Sequence, residues 1–378
     1  MLRPKTASDL AGLVREAKAP FELVGTGSKR ALGRPMNAQA LDLSAFNTIL
    51  AYEPEELILD VGAAVKLKDI QKLLASKNQM LAFEPPDFSK LLSTKHAGTL
   101  GGALACNLSG PRRIKAGAAR DHVLGITAVN GQGEIFKSGA RVVKNVTGYD
   151  VPRLMAGSYG TLAAFTSIIF KVLPHPETEM TLLLKARDDA SAVALMTTAL
   201  QSPCEVSAAA FLPGRGVALR LEGIPASITY RRDKLADLLA TPSETLSAKD
   251  SVALWIGVRD VEALAVKPGD QVWRISVAPQ EAPRVIAQLK KQFSLQHLLD
   301  WGGGLIWLAH EASVDRGIAI RQAAAPGHAT LFRADAEVRA LLEVFQPLPP
   351  PLAGLTSRVK QAFDPKGLFN PGRMYRNI

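Results

Sequence analysis

The stretch FEPPDFSKLLSTKHAGTLGGALACNLSGPRRIKAGAARDHVLG, residues 83 to 125, sets Gly98, Gly101, Gly102, Gly110, Gly117 and Gly125 among small residues and the hydrogen-bonding side chains Thr99, Asn107 and Ser109. Glycine has no side chain and tolerates positive φ, so this density is expected where backbone must lie against a flat or extended ligand. A fold for this chain has to present that backbone rather than hide it.

An earlier loop makes the same demand. FELVGTGSKRALGRP, residues 21 to 35, reads as a short strand running into a glycine turn with two adjacent cations. Gly25 and Gly27 would let backbone N–H groups point into one concavity, with Ser28 and Lys29 as further donors. The Rossmann fingerprint GxGxxG fails because Arg30 occupies the third glycine position and Gly33 and Pro35 follow too soon for a helix to start. GxxxxGK[ST] is absent as well. What remains is either a nest-type anion site or an ordinary tight turn, and the presence of two such loops suggests a dinucleotide.

At 378 residues the chain has room for two or three domains. Apolar residues at 47% and charged residues at 21% are ordinary globular usage, which argues against disorder and a disulfide scaffold. Cys106 and Cys204 have no CxxC spacing and cannot alone hold an iron–sulfur cluster. The N-terminus lacks a signal-peptide h-region and no segment approaches a membrane span, so the expected location is cytoplasmic. A net charge of +10 is spread over single and paired Lys and Arg, a pattern that disfavours nucleic acid and suits an anionic cofactor.

TASDLAGLVREAKA, residues 6 to 19, has helical spacing with Ser8 and Asp9 as capping candidates; FELVG, LDLSAF and LILDVGA read as strands, and LKDIQKLLASKNQM as a helix. The run from Arg141 to Pro174 predicts a strand, a turn at Gly148, a short helix, the loop GSYGT and a final strand. Past VLPHPET glycine thins out, and TLLLKA, AAAFLPG, GVALRLEG, ALWIGV and VWRISVA read as strands with helices such as DDASAVALMTTAL between them. Trp255, Trp273, Trp301 and Trp307 all lie in this half, as core or as the wall of a ligand site, and WGGGLIWL, residues 301 to 308, is likewise a core strand or a turn facing a cofactor. QPLPPPLAG, residues 346 to 354, reads as an extended linker or strap.

TLGGALACNLSG, GAARDHVLGITAVNGQGEI and VKNVTGYDVPRLMAGSYGTLAAFTSIIFKVLP, with the early VGTGSK and the late FDPKGLFNPGRM, resemble the FAD-linked oxidases of the vanillyl-alcohol oxidase type. The wording KNVTGYD and the compact second half are most similar to the FAD-binding subunits of bacterial glycolate oxidases. The resemblance implies an α+β chain: a two-part PCMH-type FAD-binding domain over residues 1–175, a smaller α+β domain over 176–345 covering the isoalloxazine, and a segment 346–378 returning to the FAD domain.

It also implies site residues. Gly25, Thr26, Gly27, Ser28 and Lys29 would cradle the pyrophosphate, and Thr99, Gly101, Gly102, Asn107, Ser109 and Gly110 would line the flavin and its ribityl chain. Arg120, Asp121 and the backbone near Ile168 would touch the rest of the cofactor, with Asn370 at the isoalloxazine edge. Ser28 stands where many relatives carry a flavin-linking histidine, so the FAD is expected to be non-covalent and Cys106 to be a structural cysteine.

Relatives that oxidise 2-hydroxy acids carry a histidine-rich metal motif. His96, His122, His175, His297, His310 and His328 form no HxH or HxxxH pair, so no metal is expected; His310 and His328 remain as pocket candidates. No catalytic residue is assigned, although Arg333 and Arg373 are available for a carboxylate. The implied function is oxidation of glycolate to glyoxylate in a complex with a larger flavin subunit and an iron–sulfur subunit, passing electrons to a membrane acceptor at the inner face of the cytoplasmic membrane. The alternatives are a self-sufficient FAD-dependent 2-hydroxy acid or alcohol oxidoreductase, and a non-catalytic assembly subunit.

Overall fold

The computed structural model describes residues 2–142, 148–312 and 316–376, so Lys144 to Thr147 of the KNVTGYD motif lie outside the described residues. The chain forms two compact units. One is Met1–Ser109, Gly117–His175 and Glu343–Ile378; the other is Gly110–Ala116 and Pro176–Leu342. The sequence places the breaks at 175 and 345, whereas here the short segment Gly110–Ala116 joins the second unit. Its attachments explain this: Arg112 ion-pairs with Glu222, and the Trp301 indole N–H donates to the Gly110 carbonyl at 3.0 Å.

The first unit opens with the helix Ala7–Glu16. Thr6, rather than Ser8 or Asp9, is its cap: Thr6 Oγ1 accepts the Asp9 N–H at 3.1 Å while the Asp9 carboxylate accepts the Thr6 N–H at 3.0 Å. Leu10, Ala11 and Val14 recur at helical spacing and pack with Phe21, Leu41, Val129 and Phe369. The main sheet has five antiparallel strands in the order Ile49–Glu53, Ile58–Gly62, Ala163–Lys171, Val123–Asn130, Ile135–Gly139. Its apolar residues share a core with the helices Leu67–Ala75 and Leu100–Ala105.

A small parallel sheet, Phe21–Val24 with Gln39–Asp42, carries the first glycine loop. The tail extends it, because the Phe21 N–H donates to the Leu368 carbonyl at 2.7 Å and the Asn370 N–H to the Phe21 carbonyl at 3.0 Å. A buried ion pair holds the tail in place. The Lys360 ammonium donates to Asp364 Oδ2 at 2.6 Å, to the Thr161 carbonyl at 2.6 Å and to the Phe369 carbonyl at 2.9 Å. Asp364 in turn accepts the Leu368 and Phe369 N–H groups at 2.9 and 2.8 Å. Lys360 belongs to the helix Pro350–Phe363, which corrects the extended reading of 346 to 354. Pro349 is the cap and Pro350 the first residue, a position where a missing N–H costs the helix nothing.

The second unit is an eight-stranded antiparallel sheet running Ser243–Leu246, Thr178–Leu184, Gly216–Gly223, Ala208–Leu212, Gln296–Asp300, Leu305–His310, Gln271–Ser276, His328–Arg333. ALWIGV is helical here, within Ala248–Arg259, where the sequence suggested a strand. Ser247 Oγ caps it by accepting the Asp250 N–H at 3.2 Å, and Ser251, Leu254, Trp255 and Val258 bury one helical face. Six apolar residues in a row do not distinguish the two periods. Trp255, Trp273, Trp301 and Trp307 are all buried, with the Trp273 N–H donated to His310 Nε2 at 3.2 Å and Trp307 edge-on to Phe332. Among the described residues no helix is long and apolar enough to cross a membrane.

Replacing Lys360 with Met would leave the Asp364 carboxylate buried without its cation, an expected loss of about 3–5 kcal/mol in urea unfolding. A Cβ added at Gly131 would meet Asp364 Oδ1 at 2.0 Å, so Gly131→Ala is expected to cost about 1–3 kcal/mol by overpacking. Wild-type midpoints in both variants would show that this ion pair does not hold the unit together.

Candidate functional site

Strand Phe21–Val24 delivers its chain directly into a turn. Gly27 sits at φ +80°, a left-handed conformation that a residue with a Cβ adopts only under strain, and the turn closes through Arg30 N–H to Gly27 carbonyl at 3.3 Å and Leu32 N–H to Lys29 carbonyl at 3.0 Å. Thr26 Oγ1 donates to the Ala97 carbonyl at 2.8 Å, tying this loop to the one before the second glycine run. That run then becomes the short helix Leu100–Ala105, whose cap Thr99 accepts the Gly102 N–H at 3.1 Å. Gly101 serves packing: its N–H donates to the Ala63 carbonyl at 2.8 Å, and an added Cβ would lie 2.7 Å from that oxygen.

The tail supplies the third side. Asn370 Oδ1 accepts the Leu23 N–H at 2.9 Å and its Nδ2 donates to the Tyr159 carbonyl at 2.7 Å, so one side chain links the strand, the GSYGT loop and the tail. Arg373 donates to the Leu32 and Arg30 carbonyls at 2.9 and 3.1 Å and to Glu22 at 3.0 Å. These three segments line an open cleft.

The residues from Gly25 to Lys29, together with Thr99, Gly101, Gly102 and Asn370, line this cleft. The other candidates lie elsewhere. Asn107 Oδ1 accepts the Arg120 N–H at 3.2 Å, Ser109 Oγ the Ala119 N–H at 3.0 Å, and Asp121 the Ala118 N–H at 2.9 Å. Arg120 is exposed, Ile168 is fully buried in the sheet core, and Gly110 belongs to the second unit. Sequence reasoning missed the small and apolar part of the wall, which includes Ala63, Ala64, Ala105 and Phe165. It also missed Gly160, although the quoted GSYGT loop contains it and its φ of +70° is the kind of position a glycine in such a loop signals.

The electrostatics of the wall are uneven. Glu22 pairs with both Arg30 and Arg373, which offsets one of the two guanidinium charges. Lys29 is different: among the described residues the hydrogen bond that holds its ammonium is a long one to Ser28 Oγ at 3.4 Å, and no carboxylate pairs with it. Burial pushes its pKa below the ordinary lysine value. The Lys29 ammonium also lies so close to Gly98 that an added Cβ there would be 2.5 Å from it. Cys106 shares this wall, and burial pushes its thiol up to about 11, so it is protonated at neutral pH. An under-partnered, half-buried cation beside a glycine turn fits an anion such as a diphosphate, and the alanine-rich slot fits a flat ring system. The residues present therefore suit FAD. Among the described residues no group of three or more His, Cys, Asp and Glu side chains is placed to hold a metal ion.

Comparison with known proteins agrees with this geometry. The FAD binding domain family matches residues 1–139. Glycolate oxidase subunit GlcE of Escherichia coli (strain K12) is 35% identical over 361 residues, which cover 96% of this chain and 94% of that protein. Glycolate oxidase subunit GlcD of Bacillus subtilis (strain 168) is 32% identical over 188 residues, 48% of this chain but only 38% of GlcD. In three dimensions, 4-ethylphenol oxidase from Gulosibacter chungangensis superposes with a TM-score of 0.72 at 14% identity, over 99% of this chain and 88% of that one, which shows a shared PCMH-type fold. The extent and identity of the GlcE match decide the assignment: the chain belongs to the GlcE family of glycolate oxidase subunits, among the FAD-dependent oxidoreductases.

Proposed function

We propose that this chain is the FAD-binding subunit of a multi-subunit glycolate oxidase, that its FAD is bound non-covalently in the cleft, and that it works with a larger flavin subunit and an iron–sulfur subunit that pass electrons to a membrane acceptor. The observation that carries the reading is Lys29, a half-buried cation held, among the described residues, by a single long hydrogen bond on the wall of a glycine-lined cleft. When bound, FAD supplies a two-electron acceptor for oxidation of a 2-hydroxy acid.

The chain's own residues divide the remaining work. Lys29, Ser28 and the backbone from Gly25 to Gly27 hold the diphosphate, with the glycines allowing close approach. Asn370 and Arg373 keep this loop in shape from the tail. Asn107, Ser109 and Asp121 act one step back, since their backbone hydrogen bonds fix the loop that follows the short helix and the turn before Arg120. Cys106, protonated at neutral pH, stays unlinked to the flavin, and Ser28 occupies the position that a linking histidine would need.

The visible spectrum of the purified chain tests the reading first. A yellow protein that releases all its flavin on denaturation is expected, whereas a colourless protein that FAD cannot reconstitute overturns it. Anaerobic glycolate should leave the isolated chain's flavin oxidised if oxidation needs the partner subunit; bleaching would place an active site on this chain alone.

Lys29→Met removes one charge-assisted contact to the diphosphate. It should weaken FAD binding to the apoprotein by about 10- to 100-fold, the equivalent of roughly 1.5–3 kcal/mol, read by quenching of FAD fluorescence. Unchanged affinity would remove Lys29 from the site.

A further inference from the structure

The second unit contains a cationic cluster that the cofactor cleft does not use. The guanidinium of Arg113 lies 4.2 Å from the centroid of the Trp301 ring, and that of Arg274 lies 5.1 Å from it. Arg113 reaches this place because Gly110–Ala116 belongs to this unit, fastened by the Trp301 indole on the Gly110 carbonyl. Arg274 comes from strand Gln271–Ser276. Directly paired residues of antiparallel strands project from the same face, so Arg274 shares its face with Thr330, and Ser276, two residues on, shares the same face with His328.

His328 reports on its surroundings. It is exposed at the start of its strand, yet partial desolvation and the repulsion of Arg274 and Arg113 push its imidazole toward the neutral form. Two guanidinium groups therefore lie at one indole, and the exposed His328 stands on the same sheet face as Arg274. Trp301 is itself held at φ +53°, a left-handed conformation that costs a bulky residue energy, and Asp300 Oδ1 holds the turn by accepting the Trp301 N–H at 2.7 Å. Strained residues of this kind cluster at ligand clamps and active sites.

We propose that Arg113 and Arg274, held on Trp301, and His328 on the neighbouring strand form a binding site for the carboxylate of a small organic acid. Arg recognises a carboxylate through two parallel N–H bonds, and the neutral imidazole adds a donor or acceptor for a neighbouring hydroxyl. That the acid is a 2-hydroxy acid rests on the function proposed above; the carboxylate site itself does not depend on it. The site also uses arginines other than Arg333 and Arg373, which the sequence offered for this role. Arg333 donates to the Lys267 carbonyl at 3.1 Å, and Arg373 is committed to the tail clamp.

The full-length chain labelled with ¹³C at histidine Cε1 allows a direct test. The His328 signal, assigned through His328→Gln, is titrated with pH in the presence of glycolate, acetate or inorganic phosphate. A bound carboxylate offsets the repulsion of the two arginines, so glycolate should move the His328 midpoint to higher pH in a saturable way. Acetate should do so more weakly if the hydroxyl is also bound. Arg274→Met should weaken the glycolate response at least tenfold, and Arg113→Met, at a half-buried position, should do the same should the first variant fail to fold.

A His328 midpoint unmoved by saturating glycolate and acetate overturns the site, and an equal response to phosphate overturns its assignment to carboxylates. A response to acetate alone keeps the carboxylate site and removes the 2-hydroxy acid. None of these readings requires bound FAD, so failure here is separate from failure of the flavin reading.

Discussion

Lys360 places a charge where water does not reach and surrounds it with oxygen. One carboxylate and two carbonyls take its three protons, and the carboxylate goes on to bind two backbone N–H groups of the tail. Desolvation of such a pair is tolerable only when every donor and acceptor is matched, as here. Phe369 then lies beside Phe21, Asn370 reaches Leu23 and Tyr159, and Arg373 grips the loop that begins at Gly25. The tail segments that brace the glycine loop thus depend on an ion pair that does not itself line the cleft.

The same division of labour runs through the wall. Glu22 takes up two arginines, which act as braces, and Lys29 keeps its charge directed at whatever enters. A cleft lined by several unpaired cations would hold anions without discrimination and would destabilise the unit when empty. A single under-partnered ammonium among backbone donors limits that cost and leaves recognition to the backbone geometry.

Part of the cleft lining was legible in the sequence because glycine density marks where backbone can be approached closely. Gly25 to Lys29, Thr99, Gly101 and Gly102 could be picked out for that reason, although the structure shows that Gly101 answers to the Ala63 carbonyl as much as to the cleft. Asn107, Ser109 and Asp121 were harder, since side chains that fix turns and side chains that face ligands are of the same types. Ala63, Ala64 and Phe165 gave no signal, because a small or apolar residue at a strand end looks the same whether it faces a core or a cleft. The ALWIGV segment and the proline run at 346 to 354 failed for related reasons: a short apolar run has no period, and prolines can begin a helix as well as exclude one.

The bond between Leu23 and Asn370 closes a separation of 347 residues. During synthesis the glycine turn emerges first and the sheet can assemble, yet its clamp is made 347 residues later. The entropy of closing so long a loop grows only slowly with length, so the contact is affordable at equilibrium while being late in time. The cleft therefore closes only once Asn370 has been made: an intermediate can own the fold of the sheet without yet owning this cleft.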